Sequence, residues 1–303
     1  MSRSRPEHTG AVFIALFVTV LWSSSWILIR WVLDSEELSP ILFAGLRYGA
    51  AAIILVGLIV SSRRTRDEVH AMTSGDWLYL GGLGLVFVTA AQGAQFMAIA
   101  SQPAATSSLV LSLTPLVVAV SSTVALGETP SHRQMAASAM ILAGALAYFS
   151  GDLGFTTVGM IASSVGLAAN AAASLMGRRA NRTRRQSPLV VTGVSMAAGA
   201  IALLMVGVAT EGTPHLSPRA WLIIAWLALV NTALAFTLWN RSLQVLSATE
   251  SAAINNTMLV QIALLAWIFL GESPGPLDIL GMVLVSIGVY LAQRKPVEAI
   301  GPT

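Results

Sequence analysis

Ten apolar runs, each close to twenty residues long, dominate this sequence and limit what it can fold into. A helix needs roughly 20 apolar residues to cross the hydrocarbon core of a bilayer. The runs cover residues 11–33, 40–60, 77–99, 103–126, 132–150, 155–176, 188–210, 218–240, 248–270 and 275–293. The connections between them are short, so neighbouring helices pack antiparallel. The sequence therefore predicts an all-α integral membrane protein with ten transmembrane helices.

The composition excludes most soluble classes. Of 303 residues, 55% are hydrophobic and only 10% are charged, and the mean hydropathy is +0.74. An average soluble domain carries about 25% charged residues. Soluble enzymes, nucleic-acid binders and disordered proteins are therefore disfavoured, and nucleic acid is not expected as a partner. The first run is too long for the core of a signal peptide, so we expect it to be retained as a span.

The chain lacks the residues that enzymes and metal sites need at membrane depth. It has no Cys, and its four His (His8, His70, His132 and His215) lie outside the centres of the apolar runs. A nucleophile with a base, or a metal cluster, therefore has no residue set inside the membrane. We expect no enzymatic activity, no metal and no cofactor.

The basic residues fix the expected orientation. With the amino terminus in the cytoplasm, 14 of the 17 Lys and Arg fall on the cytoplasmic side. The positive-inside rule therefore predicts that both termini are cytoplasmic. The expected location is a bacterial-type inner membrane.

A short motif recurs in the two halves. Leu126-Gly-Glu-Thr-Pro130 returns as Leu270-Gly-Glu-Ser-Pro274, displaced by 144 residues, and each copy follows the fourth span of a five-span set. Because five is odd, the two sets have opposite orientations. This predicts two inverted five-helix repeats, residues 1–150 and 151–303, a build typical of secondary transporters with a site between the repeats.

At this point the chain resembles the drug/metabolite transporter superfamily, in particular its ten-helix EamA-type exporters. The repeated motif, Leu21-Trp22-Ser23-Ser24-Ser25, Leu46-Arg47-Tyr48, the segment from Pro103 to Pro115 and Leu238-Trp239-Asn240 are similar to that superfamily. The resemblance covers about residues 10–293. It is greatest to the exporters of aromatic and neutral amino acids, and it implies transport by alternating access.

Pro115 is a hinge candidate. A proline inside a helix kinks it and frees a backbone carbonyl. The second half has Leu259 at the corresponding place, whereas members of the superfamily often keep proline in both halves. The two halves are therefore expected to bend unequally.

Neutral polar and aromatic side chains inside the spans are the candidates for a substrate cavity. Exposing an amide to lipid is costly, so these groups are expected to face the protein interior or a wet cavity. Hydrogen bonding between helices is the alternative for each of them. The candidates are Trp22, Ser24, Arg47, Tyr48, Gln92, Gln95, Ser112, Asn170, Trp239, Asn255 and Asn256.

Two charged residues leave alternatives open. Arg47 is the one charge clearly inside a span, and it either snorkels or pairs helices, or else it neutralises a substrate carboxylate. Its flanking Gly45 and Gly49 have the GxxxG spacing that allows close helix contact. Glu250, at the start of the ninth span, is expected to be a solvated end.

This set of neutral polar side chains, aromatic rings and one arginine suits a small neutral amino acid, aromatic ones included, or a related metabolite. The alternative is a broad-specificity drug or metabolite exporter that binds aromatic cations through its own aromatic side chains. No titratable residue lies near a span centre, so we expect facilitated transport. The expected partners are the substrate and the bilayer, and the chain is expected to be a monomer or a weak homodimer.

Overall fold

In this computed structural model, the described residues are 5–36, 38–101, 110–111, 113–127, 132–148, 156–183, 185–211, 215–270 and 275–293. Every regular element in this part of the chain is helical. The helices are α1 (Arg5–Ser35), α2 (Pro40–Ser61), α3 (Arg63–His70), α4 (Ser74–Gly84), α5 (Gly93–Ser101), α6 (Thr114–Leu126), α7 (His132–Tyr148), α8 (Thr157–Arg182), α9 (Pro188–Glu211), α10 (Pro218–Ala228), α11 (Ala235–Leu243), α12 (Ala248–Asn255), α13 (Thr257–Leu270) and α14 (Pro276–Gln293).

Six helical stretches in the described part are long and apolar enough to cross a membrane. They are Glu7–Leu33, Pro40–Ser61, Ser74–Ala98, Thr157–Arg182, Pro188–Glu211 and Pro218–Leu243. They correspond to predicted spans one, two, three, six, seven and eight. The chain is therefore a multi-pass membrane protein. Of the other four predicted spans, the fourth lies partly outside the described residues.

Two of the long stretches contain a π-helical segment, which the sequence did not predict. The first π segment, Leu85–Gln92, joins α4 to α5, and the second, Leu229–Leu234, joins α10 to α11. In such a segment the backbone hydrogen bond reaches five residues along the chain instead of four. π segments are rare, and they are frequent at functional sites.

Other differences from the predicted spans are local. The ninth span is interrupted by a turn at Asn256, between α12 and α13. The connection between spans two and three contains the short helix α3. Its Thr65 is buried and donates to the carbonyl of Ile59 over 2.7 Å, which fixes α3 against the end of α2.

The glycine in the first copy of the repeated motif has a structural role. Gly127 follows the last residue of α6 and has a φ of +62°. A left-handed residue at this position is a common way to end a helix, and glycine adopts it without steric cost.

Glycines bring helices α2 and α9 into close contact. A Cβ at Gly49 would lie 2.6 Å from Leu204 Cδ1, and one at Gly45 would lie 3.1 Å from Leu204 Cδ2. The GxxxG spacing that flanks Arg47 therefore forms the surface that receives Leu204. On the same helix pair, a Cβ at Gly207 would lie 2.9 Å from the Cα of Leu42.

The closest backbone approach joins α4 to α9. A Cβ at Gly84 would overlap the carbonyl oxygen of Ser195, and one at Gly199 would overlap the carbonyl oxygen of Gly84. Thr89, in the first π segment, also donates to the carbonyl of Gly199 over 2.8 Å. The first π segment is thus held directly against α9.

We expect Gly84→Ala to lower the free energy of unfolding by about 2 kcal/mol or more, because the new methyl group meets backbone that cannot move aside. The matched control is Gly81→Ala on the same helix, where an added Cβ has nothing within 4 Å. The measurement is the apparent melting temperature of each purified variant in detergent. Equal melting temperatures for the two variants would contradict this packing.

Candidate functional site

A buried arginine joins α2 to the second π segment. Arg47 is only 4% exposed. Its Nε donates to the hydroxyl of Thr232 over 2.8 Å, and its Nη2 donates to the carbonyl of Asn231 over 3.4 Å. The guanidinium carbon lies 5.4 Å from the centre of the Tyr48 ring. Arg47 therefore pairs helices, and snorkelling is excluded.

Both hydrogen-bond partners of Arg47 lie in the second π segment. Thr232 accepts from Arg47 and itself donates to the carbonyl of Leu227, five residues earlier, over 2.8 Å. Its hydroxyl therefore acts as acceptor and donor at once. A guanidinium presents its donors in a planar fork, so its geometry suits two adjacent acceptors such as these.

Asn231 connects the second π segment to α1. Its side chain is fully buried, and its Nδ2 donates to the carbonyl of Leu21 and, over 3.1 Å, to the hydroxyl of Ser24. Ser24 in turn donates to the carbonyl of Leu21 over 2.7 Å. The Oδ1 atom of Asn231 has no hydrogen-bond partner among the described residues.

An aromatic cluster lies next to these polar contacts. The ring of Trp22 lies 4.8 Å from that of Phe236 and 5.1 Å from that of Trp239, measured between ring centres. Phe236 also contacts Tyr48 at 6.3 Å and Phe87 at 5.3 Å. Trp22 is 9% exposed, and its Nε1 has no hydrogen-bond partner in the described part of the chain.

The structure thus brings five of the predicted site residues together, on α1, α2 and α11. They are Trp22, Ser24, Arg47, Tyr48 and Trp239. Sequence reasoning did not include Asn231, Thr232, Phe236 and Phe87 among the site residues. The positions of Asn231 and Thr232 near the middle of an apolar run are the signal that could have added them.

A second group of predicted residues lies in the first π segment, α5 and α8. Gln92 and Gln95 are half-buried, and neither side chain has a hydrogen-bond partner among the described residues. Asn170 is half-buried, and it donates to Gly166 of its own helix over 2.8 Å. A Cβ at Gly166 would lie 3.9 Å from the backbone nitrogen of Gln95, so α5 and α8 meet there.

Three of the remaining predicted residues, Asn255, Asn256 and Pro115, lie where a helix begins or ends. Asn255 is half-buried and Asn256 is buried, on either side of the end of α12. Ser112 lies outside the described residues. Pro115 is the second residue of α6, so it stands at a helix start rather than in the middle of a continuous helix. The carbonyl of Leu111, which the N–H of a residue at 115 would normally reach, accepts from the hydroxyl of Thr114 over 2.6 Å.

A polar seam joins α1 to α13. The hydroxyls of Thr19 and Thr257 lie 3.2 Å apart, and Ser23 donates to Oε1 of Gln261 over 2.9 Å. The Nε2 of Gln261 donates to Thr19 and Thr257 over 2.9 and 3.0 Å. A network of neutral hydrogen bonds therefore links α1 to α13.

The seam continues to the amino-terminal end of α1. His8 Nε2 lies 3.1 Å from Oε1 of Glu250, and the two side chains are 16% and 15% exposed. Glu250 also accepts from the backbone nitrogen of Ser247 over 2.8 Å, while its own nitrogen donates to the Ser247 hydroxyl. The expectation that Glu250 is a solvated end is wrong. Its carboxylate accepts from the backbone nitrogen of Ser247 at the start of α12 and lies within hydrogen-bond distance of His8.

Buried amides also link α8, α9 and α11. Asn181 donates to Oδ1 of Asn240 over 2.6 Å, and Asn240 donates to Thr192 over 2.9 Å. Next to them, Arg178 donates to the carbonyl of Leu243 over 2.6 Å, at the end of α11. These contacts fix the end of the interrupted helix whose middle carries the second π segment.

The fold and these buried polar contacts define a multi-pass membrane protein with a polar and aromatic centre. The sequence pattern of the EamA-like transporter family matches residues 9–150 and again residues 157–293. The chain therefore belongs to the EamA-like transporter family and is a membrane transporter. The resemblance seen in the sequence is confirmed.

Individual relatives agree with this membership. The chain is 26% identical over 292 residues to the "Probable terminal-alkyne amino-acid exporter" of Streptantibioticus cattleyicolor, with 94% of each chain covered. It is 22% identical over 262 residues to the "Uncharacterized transporter YyaM" of Bacillus subtilis, with 84% of each covered. A solved crystal structure that is 19% identical matches the fold with a TM-score of 0.78, over 94% of this chain and 96% of that one.

We expect Thr232→Val to lower the free energy of unfolding by about 1–3 kcal/mol, because it leaves the buried Nε of Arg47 without an acceptor. The control is Thr237→Val in α11, since the Thr237 hydroxyl donates to Ala233 of its own helix over 2.7 Å. The measurement is thermal unfolding of both variants in the same detergent. If both variants unfold together at the wild-type temperature, the Arg47 contact is not stabilising.

Proposed function

We propose that this chain is a secondary transporter that exports small neutral amino acids, aromatic ones included, or closely related metabolites across a bacterial-type inner membrane. The observation that carries the proposal is the buried cluster of Trp22, Tyr48, Phe236, Trp239 and Asn231. It combines aromatic surfaces with neutral polar groups. The relative named as an amino-acid exporter supports the same substrate class.

The packing of the helices supports two inverted repeats, residues 1–150 and 151–303. The first span of each half packs against helices of the other half. In the first half α1 packs against α11, α12 and α13, and in the second half α8 packs against α5 and α6. The second spans, α2 and α9, pack against each other, and so do the fifth spans, α7 and α14. This exchange of partners is what a two-fold relation between the halves produces.

The π segments support the same relation. They begin at Leu85 and Leu229, which are 144 residues apart, the displacement of the repeated Leu-Gly-Glu motif. The first packs against α9 and the second against α2, which are themselves equivalent second spans. Corresponding interruptions in the two halves of a transporter are typical of the substrate region.

Alternating access then takes place at two interfaces: the one between α1 and the second half, and the one between α8 and the first half. The seam between α1 and α12–α13 opens toward one side of the membrane, and the contact of α8 with α5 and α6 opens toward the other. The excess of Lys and Arg in alternate connections favours a cytoplasmic location for both termini and for the His8–Glu250 end of the seam. Closing the seam therefore shuts the cytoplasmic path.

The transport is facilitated and follows the substrate gradient. A proton-coupled carrier usually has a titratable side chain in its pathway at membrane depth. The described buried cluster offers amides, hydroxyls, indoles and one arginine, and Glu250 lies at a helix start. A dication would lack a carboxylate partner in that cluster.

The aromatic rings favour one second candidate, export of aromatic cations. Three rings contact Phe236, a further ring contacts Trp22, and ring faces attract cations by their quadrupoles. A broad-specificity drug or metabolite exporter would use these faces for binding. The buried positive charge of Arg47 beside the cluster disfavours that use.

The test is counterflow into proteoliposomes loaded with unlabelled substrate, with labelled phenylalanine, threonine, glutamate and a dicationic dye outside. We expect saturable counterflow of phenylalanine and threonine, at a rate that an imposed proton gradient does not change. Movement of the dye without amino-acid counterflow would contradict the proposal and favour a drug exporter. Loss of transport on collapse of a proton gradient, at a constant substrate gradient, would contradict facilitated transport.

A further inference from the structure

Two polar atoms in the aromatic cluster are buried and without a partner in the described part of the chain. They are Nε1 of Trp22, on α1, and Oδ1 of Asn231, in the second π segment. Asn231 donates from its Nδ2 to the carbonyl of Leu21 and to the hydroxyl of Ser24, which flank Trp22 in the sequence. The two unpaired groups therefore lie at one junction, between the first and eighth spans.

The two atoms have opposite hydrogen-bonding character. The indole N–H of Trp22 donates only, and the amide oxygen of Asn231 accepts only. Most buried polar side-chain atoms in proteins have a partner, and an unpaired one is costly. Phenylalanine at position 22 would avoid that cost. At position 231 the contacts with α1 use only the Nδ2 atom, so they do not account for the buried Oδ1 atom.

We propose that Trp22 and Asn231 bind the two charged groups of a zwitterionic amino acid, an inference that rests on the proposed function. The indole N–H of Trp22 donates to the substrate carboxylate. The Oδ1 of Asn231 accepts from the substrate ammonium. The rings of Phe236, Trp239 and Tyr48 receive an apolar or aromatic substrate side chain.

Arg47 is a positioning residue in this arrangement. Its Nη2 holds the backbone carbonyl of Asn231, and its Nε holds the hydroxyl of Thr232. Its charge lies beside the Tyr48 ring, in the same cluster as Trp22. It therefore fixes the segment that carries Asn231.

The substrate reaches the site when α1 separates from the interrupted eighth span. In this structure Trp22 is 9% exposed and Asn231 is 0% exposed, so the two groups are covered. The carbonyl of Leu21 and the hydroxyl of Ser24 already bind the Nδ2 of Asn231, which leaves Oδ1 as the unused acceptor of this side chain. Two further unpaired atoms, in Asn181 and Ser187, lie at the end of α8 and just before α9.

The test compares three probes that differ in their charged groups: phenylalanine, phenethylamine, which lacks the carboxylate, and 3-phenylpropanoate, which lacks the ammonium. The measurement is the KM for phenylalanine counterflow and the inhibition constants of the other two probes. The variants are Trp22→Phe, which removes the N–H and keeps an aromatic ring, and Asn231→Leu. The matched control is Trp226→Phe on α10, where the indole is 55% exposed.

We expect Trp22→Phe to raise the KM for phenylalanine and the inhibition constant of 3-phenylpropanoate about tenfold, because each loses a hydrogen bond to a charged group. The inhibition constant of phenethylamine stays unchanged. Asn231→Leu gives the opposite selectivity, weakening phenylalanine and phenethylamine and sparing 3-phenylpropanoate. Trp226→Phe changes none of the three.

A purely structural role would weaken all three probes equally, and that result would overturn the proposal. An unchanged KM for phenylalanine in Trp22→Phe would overturn it as well. Size-exclusion profiles in detergent show that each variant is folded, and the selectivity between probes is read within one variant. If the wild-type protein itself shows no phenylalanine counterflow, the proposed function fails first, and that outcome is distinct from a wild-type carrier with unchanged variants.

Discussion

A guanidinium inside a membrane must find its acceptors in the protein, because lipid offers none. Arg47 finds them in the second π segment, in the hydroxyl of Thr232 and the carbonyl of Asn231. This contact ties α2 of the first half to the eighth span of the second half. The same contact fixes the helical turn that carries Asn231, and the side chain of Asn231 donates to α1. The arrangement of α1, α2 and the second π segment therefore depends on the Arg47 contact.

Small residues make that contact possible by bringing the helices close enough. Leu204 of α9 fills the groove left by Gly45 and Gly49, on either side of Arg47. Gly84 and Gly199 likewise bring the first π segment against α9. In membranes, where hydrophobic burial adds little between helices, such close packing is a main source of association. Each π segment is therefore held by a different means, one by a charged side chain and one by backbone contact.

The apolar runs predicted the six long apolar helices of the described part, because the bilayer sets both their length and their composition. Membership of the transporter family followed from short motifs whose physical role is partly visible, as at Gly127. The π segments, the break at Asn256 and the helix α3 could not be predicted, since they depend on what packs against them. Local spacing does not show that Arg47 meets Thr232, 185 residues further along the chain.

Site prediction was limited in the same way. Side-chain chemistry singled out Trp22, Arg47 and Tyr48, and the fold brings them into one cluster. It could not identify Phe236, an ordinary apolar residue that becomes the centre of the cluster through its neighbours. Glu250 was misjudged because a carboxylate at a helix start is usually solvated, and His8, which pairs with it, is 242 residues away.

Alternating access, as proposed for this chain, requires α1 and the α12–α13 pair to move apart during transport. The chain has no native Cys, so Thr19→Cys with Thr257→Cys, whose hydroxyls lie 3.2 Å apart, gives a clean cross-link across the seam. The measurement is phenylalanine counterflow by the double variant after oxidation and again after reduction, with the two single variants as controls. The account predicts that oxidation stops counterflow in the double variant alone and that reduction restores it. Undiminished counterflow by fully cross-linked protein would show that this seam does not open, and would contradict the account.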